Sequence, residues 1–337
     1  MSGKKVIAVV GNGFVGGSLT TVMSRTYDVY AYDKAGKYAP GVTKGVKVGG
    51  GLIIGDPYRH PRSIQELVTA CEAQETFTGV YFVCLPTPMK PSGECDVTIV
   101  EGVLDELSKA FSEPASPWKL RDESNRMLRI AVVKSTVPPG TTARWNVKYA
   151  NSGLHVVFNP EFLREASAVD DMQNQDRIIL GGPKACVNVV KDVFEHAFPS
   201  VPIIKTSSTN AEMVKYVTNV HLAVKVALAN EFYQICEALG SSGHDVDYDR
   251  MIEAATRDPR LGTSHWKVPG PMPLDDSSGK PAYGFGGSCF AKDINGLMYT
   301  ARQLGVDPHV MQGAWNKNLE VRPTRDWEQL KGRAVSS

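Results

Sequence analysis

The sequence predicts an α/β protein: a doubly wound parallel sheet followed by an all-helical region with one long helix. Three observations predict it. From Val6 to about residue 205, short apolar β-branched runs alternate with helical stretches, the pattern of strand–helix–strand units with a parallel sheet. The first run leads directly into a G-x-G-x-x-G glycine pattern. Residues 211–239 then show helical periodicity without proline or glycine. At the usual rise per residue that stretch makes a helix of roughly 40 Å.

Composition sets the outer limits. The chain has 337 residues, 42% hydrophobic and 22% charged, with a formal net charge of +1. That is long enough for two domains with real cores. The balanced charge offers no surface for nucleic acid or membrane. The apolar run Val6–Val10 is too short for a secretory segment, and no run approaches a membrane span. Cys71, Cys84, Cys95, Cys186, Cys236 and Cys289 form no C-x-x-C pair. That argues against a metal site and a disulfide framework, and it fits a reducing cytoplasm.

The elements follow in order. Val6–Val10 reads as a buried strand. Gly11-Asn12-Gly13-Phe14-Val15-Gly16 opens a helix after it. A second strand, Asp28–Tyr32, ends at Asp33. Further strands cover residues 80–85, ending at Pro86-Thr87-Pro88, and 128–133, ending at the cluster 134–141. A last one, 155–158, ends at Asn159-Pro160-Glu161. In a parallel sheet these three clusters line one crevice at the carboxyl ends of the strands. Residues 112–127 read as an exposed loop. Beyond the long helix, residues 247–256 and 293–304 read as helices, the latter ended by Gly305. A Gly/Pro-rich loop covers 258–284. The polar stretch 316–337 reads as a short helix with a frayed end. The expected domains are 1–205 for dinucleotide binding, 206–310 for a central helical dimerisation and substrate domain, and 311–337 as a tail.

Two motifs carry chemistry. In the first, Gly11 makes the tight turn, Gly13 admits a pyrophosphate and Gly16 packs helix on strand, while Phe14 and Val15 begin the helix. Asp33 stands where a ribose hydroxyl is bound and repels a 2′-phosphate, so the cofactor expected is NAD rather than NADP. The second motif is Tyr283-Gly284-Phe285-Gly286-Gly287-Ser288-Cys289-Phe290-Ala291-Lys292-Asp293. Its glycines let backbone approach a ligand. Lys292 can hold Cys289 partly as thiolate, and Asp293 lies one helical turn on as a potential base.

Taken together, these segments resemble the nucleotide-sugar dehydrogenases of the UDP-glucose/GDP-mannose type. The resemblance rests on Gly11 to Gly16, on Cys84-Leu85-Pro86-Thr87-Pro88 and on the cluster 134–141. It rests also on Asn159-Pro160-Glu161-Phe162-Leu163-Arg164-Glu165, on Asp176-Arg177, and on Glu212 with Lys215 and Asn219. Asp258-Pro259-Arg260-Leu261-Gly262 and the Cys289 motif complete it. It implies a Rossmann-like first domain and a central helical domain in a 6-phosphogluconate-dehydrogenase-like arrangement. It also implies a four-electron oxidation by NAD of a nucleotide-sugar alcohol, with UDP-glucose favoured.

In that reaction Cys289 forms a thiohemiacetal and then a thioester, which water hydrolyses. Lys215 and Asn219 stabilise an oxyanion, and Thr136, Glu161 and Asp293 place and deprotonate water. The resemblance assigns Thr87, Thr136, Glu165, Cys289 and Lys292 to the cofactor as well. It assigns Glu161, Phe162, Leu163, Arg164, Lys215, Asn219, Tyr283, Phe285, Gly286, Gly287 and Ser288 to the sugar nucleotide. Arg260 is expected to reach a phosphate in a neighbouring subunit, so a homodimer through the long helix is implied.

The chain departs from the family in three ways. Only 44 residues (337 − 293) follow Asp293, so the family's third domain is expected to be absent from this sequence. Ala291 stands where the family usually has proline. The proline-rich loop 265–282 either folds over the substrate or is a surface insertion. Alternatives are a GDP-mannose or UDP-N-acetylhexosamine dehydrogenase, a non-catalytic partner of a longer dehydrogenase, and a two-electron hydroxyacid dehydrogenase that needs no thiol.

Overall fold

The computed structural model describes residues 4–36, 61–111, 128–270 and 282–336 and, by backbone alone, two short strands at 47–48 and 52–53. The loop expected at 112–127 and the middle of the 265–282 loop lie outside the described residues. The first elements in chain order are β1 (Val6–Val10), α1 (Phe14–Met23), β2 (Asp28–Tyr32), β3 (Lys47–Val48), β4 (Leu52–Ile53), α2 (Ile64–Glu72), β5 (Phe77–Val83) and α3 (Thr98–Phe111). Then come β6 (Arg129–Val133), α4 (Thr141–Lys148), β7 (Leu154–Phe158), α5 (Ala168–Gln173), β8 (Ile178–Gly181), α6 (Lys184–Ala197) and β9 (Ile203–Thr206). The helices α7 (Ser208–Ser241), α8 (Tyr248–Ala255), α9 (Phe290–Gln303), α10 (His309–Val321) and α11 (Asp326–Gln329) follow. Two compact units result: Met1–Thr87 with Val97–Lys215, and Pro88–Asp96 with Tyr216–Ser337.

The first unit is built on a seven-stranded sheet of order β2-β1-β5-β6-β7-β8-β9. Strands have a side-chain period of two, and here both faces are covered, which is why these strands read as unbroken apolar runs. Val6, Ala8 and Val10 of β1 enter one core together with α2, α3 and α4. Ile7 and Val9 enter the other, with α1 and α6. The same alternation runs through β5, where Tyr81 and Val83 face one core and Val80 and Phe82 the other.

The strands β2, β1, β5, β6 and β7 run parallel to one another, and β8 runs parallel to β9. The fully parallel sheet expected from the alternation is broken once: β7 and β8 meet antiparallel, through Phe158 and Gly181. The link between them consists of an extended stretch, one 3₁₀ turn and the six-residue α5. It contains no helix running the length of the sheet, and the chain re-enters from the end at which it left.

The second unit is helical. α7 runs 34 residues, longer than the stretch read from periodicity alone. Tyr216, Val220, Ala223 and Ala227 recur at helical spacing on it and pack with Phe285, Ile294 and Ala314. Asp247 caps α8 through the Arg250 N–H. α9 begins at Phe290, one turn before its expected start, with Cys289 as its N-cap residue. At the described start of the 265–282 loop, Trp266 and Val268 are buried with Tyr248 and Cys236. Tyr248 Oη donates to Trp266 O at 2.6 Å. No helix of the described residues is long and apolar enough to cross a membrane.

The segment 316–337 differs most from expectation. Its first residues complete α10, and Trp327 in α11 is 2% exposed, packed on Trp315 with ring centroids 5.3 Å apart. Ala334 is buried beside it. The chain then runs alongside residue 89: Met89 N–H donates to Ala334 O, and Ser336 N–H to Met89 O, both at 2.8 Å. Backbone pairing of this kind leaves no side-chain signature, so a polar composition concealed an anchored segment. Replacing Trp327 with alanine is expected to cost about 3–5 kcal/mol, read as a lower urea midpoint. An unchanged midpoint would show that the segment contributes no packing.

Candidate active site

The glycine turn after β1 is packed to its limit. Gly11 has φ +84°, and a Cβ there would lie 2.4 Å from Cys84 O. A Cβ on Gly16 would lie 1.8 Å from Gly11 O, so helix and turn touch backbone to backbone. A Cβ on Gly13, by contrast, would meet no atom within 4 Å. The face left open is the one a pyrophosphate needs. Helix α1 starts there with no side-chain cap and no acidic residue in its first turn, which suits an anion. Asp33 folds back from the end of β2, where its Oδ2 accepts the Asn12 N–H at 2.8 Å and its Oδ1 the Ala35 N–H at 2.9 Å. These residues fit the diphosphate and ribose of NAD.

The parallel sheet brings the three strand-end clusters together. Ser135 Oγ donates to Leu85 O at 2.6 Å, and Thr87 Oγ1 donates to Thr136 O at 2.7 Å. Lys134 Nζ donates to Asn159 Oδ1 at 2.6 Å. From α7, Lys215 Nζ donates to Glu161 O at 2.5 Å and to its Oε1 at 3.0 Å. Leu163 N–H donates to Glu161 Oε2 at 2.7 Å. One carboxylate thus sits between two buried ammonium groups, Lys134 at 4% and Lys215 at 3% exposure. Burial alone would push the Glu161 carboxyl up. Lys215, the Leu163 N–H and Lys134 outweigh it and hold Glu161 below the usual carboxylate range. Burial lowers Lys134. Glu212, one turn earlier on α7, accepts the Gly140 N–H at 2.5 Å and the Thr142 N–H at 2.7 Å. It caps α4, and burial raises it.

In the second unit the thiol lies at the N-terminus of the 14-residue helix α9, where the helix dipole favours a thiolate. Ser288 Oγ is 3.7 Å from Cys289 Sγ. Asp293 is 2% exposed. Its Oδ2 accepts from Asn219 Nδ2 at 2.6 Å and its Oδ1 from Lys292 Nζ at 2.5 Å. Burial would lower the Lys292 ammonium, but Asp293 first, then Cys289 and Cys95, raise it, so it stays protonated beside the thiol. None of the six cysteines is joined in a disulfide.

Not every expected residue joins these groups. Phe162 and Leu163 do: Lys215 Nζ lies 5.5 Å from the Phe162 ring centre, which the Arg177 guanidinium also faces at 4.5 Å, and Leu163 gives its N–H to Glu161. Arg164 and Glu165 are exposed, and Arg164 is taken up by Asp171, with Nη2–Oδ1 at 2.6 Å. Arg260 is exposed and paired with Asp258. Lys134 belongs to a strand-end cluster expected at the crevice but had no role assigned to it, whereas Asn230, Asn318, Arg322 and Asp326, which hold the glycine loop, were not expected there. A lysine ending a strand, or a polar residue on a helix, carries no local signal for such a role.

Fold and site together define an NAD-binding dehydrogenase with a cysteine-bearing helical unit. Residues 5–198 match the family model "UDP-glucose/GDP-mannose dehydrogenase family, NAD binding domain", and residues 209–320 match its "central domain". The chain belongs to this family. It is 28% identical over 353 residues to UDP-glucose 6-dehydrogenase AglM of Haloferax volcanii, covering 97% of this chain and 72% of that protein. It is 31% identical over 250 residues to a GDP-mannose 6-dehydrogenase of Pseudomonas syringae pv. tomato, covering 72% of this chain and 50% of that one. Among solved structures, a UDP-glucose dehydrogenase from Pyrobaculum islandicum superposes with a TM-score of 0.71 at 28% identity. That match covers 95% of this chain and 69% of the other. The chain thus spans only part of the length of these relatives.

Glu161→Gln leaves two buried ammonium groups without their carboxylate, which is expected to cost about 3 kcal/mol at pH 7. A carboxyl lowered by folding stabilises above its unfolded value, about 4.3, and that stability is lost as pH falls through the folded value. The gap between variant and wild type, measured by urea denaturation, should therefore shrink as pH drops below about 4. A gap that does not change with pH would remove the ionised Glu161 from the account.

Proposed function

We propose that this chain oxidises the primary alcohol of a nucleotide sugar to the carboxylate through a covalent thioester on Cys289, with UDP-glucose the favoured substrate. The observation that carries the reading is the α9 N-terminus: an accessible thiol, a buried ammonium and a carboxylate fixed by Asn219. A simple alcohol oxidation needs no thiol. NAD, when bound against Gly11, Gly13, Phe14, Val15, Gly16 and Asp33 with Thr87, Thr136, Glu165 and Lys292, supplies a hydride acceptor, used twice per sugar. Cys289 adds to the aldehyde carbon, whose oxygen becomes the thiohemiacetal hydroxyl. After the second oxidation, water cleaves the thioester, and the sulfur leaves as thiolate.

Lys215 and Asn219 donate to the developing oxyanion, and Glu161 and Asp293, with Thr136, orient water and take up its proton. Phe162, Leu163 and Arg164 with Tyr283, Phe285, Gly286, Gly287 and Ser288 line the sugar nucleotide. Arg260 serves a phosphate in a second copy of the chain. A homodimer is supported by α7, where Leu228, Phe232, Ile235 and Leu239 expose an apolar stripe at spacings of four, three and four residues. The proposed division of labour keeps NAD binding in 1–205, the helical domain in 206–310 and a tail in 311–337.

The test is NADH formed per sugar consumed, with UDP-glucose, GDP-mannose and UDP-N-acetylhexosamines in separate samples. About two per sugar is expected, with Cys289→Ser stopping at or before the aldehyde. About one per sugar, unaffected by Cys289→Ser, would sink the thioester reading. For the dimer, Phe232→Glu with Ile235→Glu should yield a monomer by sedimentation. A wild type that sediments as a monomer and turns over at full rate would exclude this assembly.

A further inference from the structure

We propose that Asn318, Arg322 and Asp326 are positioning residues for Cys289, clamping the backbone of the glycine loop that leads into it. The proposal rests on the reading of Cys289 as nucleophile. The loop has glycines at 284, 286 and 287, and such a stretch is costly to hold in one conformation. A nucleophile at its end needs a fixed position, since a displacement of 1 Å can cost about a hundredfold in rate.

The loop's polar groups are claimed one after another by side chains. Arg322 Nη1 donates to Tyr283 O at 3.0 Å. Gly284 N–H donates to Asn230 Oδ1 at 3.1 Å. Phe285 is gripped on both sides: its N–H donates to Asn318 Oδ1 at 2.6 Å, and its carbonyl accepts from Asn318 Nδ2 at 3.0 Å. Gly287 N–H donates to Asp326 Oδ2 at 2.8 Å, and Arg322 Nε holds the other oxygen of Asp326 at 2.8 Å. Asn318 is fully buried at 0% exposure, so neither of its bonds is contested by water. Asp293 N–H then donates to Cys289 O at 2.9 Å, closing the first turn of α9 directly behind the clamped loop.

The glycines record the same arrangement. A Cβ on Gly284 would lie 2.3 Å from Asn318 Oδ1, and one on Gly286 would lie 2.3 Å from Asp326 Oδ1. These two glycines make room for the clamp. Gly287, with φ +71° and no atom near its missing Cβ, keeps an open face. The clamp is supplied by Asn318 of α10, Arg322 at its C-terminal end and Asp326 at the start of α11, well beyond Cys289 in sequence.

The experiment compares Asp326→Ala with Asp326→Asn, which keeps an oxygen for the Gly287 N–H. Alkylation of Cys289 by iodoacetamide is followed against pH by mass spectrometry, alongside kcat and KM. Expected for Asp326→Ala are a shifted alkylation profile and a kcat at least about tenfold lower, with the KM for NAD little changed. Asp326→Asn should restore most of both. Should Asp326→Ala not fold, Asn318→Asp, which loses the donor to Phe285 O, is expected to shift the profile in its place. Alkylation needs no sugar substrate, so it stands even if no nucleotide sugar is turned over. A folded Asp326→Ala and Asn318→Asp with wild-type alkylation profiles would overturn the clamp. So would an Asp326→Asn as impaired as Asp326→Ala.

Discussion

Helix α7 buries three polar side chains, and their need for partners constrains the loops around it. Glu212, Lys215 and Asn219 lie at spacings of three and four residues, and all three are buried. A buried charge or amide is tolerated only when its partners are in place. Each therefore dictates the position of a different loop. Glu212 fixes the start of α4, Lys215 fixes Glu161, and Asn219 fixes Asp293. Loss of any one partner strands a polar group away from water, so the loops are held far more tightly than their length or composition implies.

Electrostatics at the strand ends follows from this burial. A single carboxylate among two ammonium groups stays ionised because its environment favours the charged form by more than desolvation opposes it. Lys134, whose hydrogen bond goes to a neutral amide, bears the desolvation without an equal return, and burial lowers it. At α9 the balance runs the other way. Lys292 keeps its proton because Asp293 and a thiol share its surroundings. Lys134 and Lys292 are thus shifted in opposite directions, set by how closely an opposite charge meets each one.

Glycine has three distinct tasks here, and sequence alone shows them as one. Gly11 and Gly16 allow backbone to touch backbone. Gly13 and Gly287 leave space that protein atoms do not fill. Gly284 and Gly286 admit side chains from α10, its C-terminal end and the start of α11. Reading every glycine in a motif as ligand space overestimates the site.

Much of the fold was legible in the chain. The alternating apolar runs, the glycine pattern after β1, Asp33 and the unbroken periodicity of α7 each report a local rule, and local rules survive without knowledge of distant partners. Cys289, Lys292 and Asp293 were legible for the same reason, since they lie within five residues. The antiparallel joint between β7 and β8, the Lys134–Asn159 pair, the anchoring of Trp327 and the grip of Asn318 on Phe285 were not. Each joins residues that neither a period of two nor one of 3.6 connects. The last bridges 33 positions through one amide. Sequence by itself determined which chemistry is present and on which elements; tertiary packing decided which polar groups are buried together, because desolvation and pairing depend on neighbours that only the folded chain supplies.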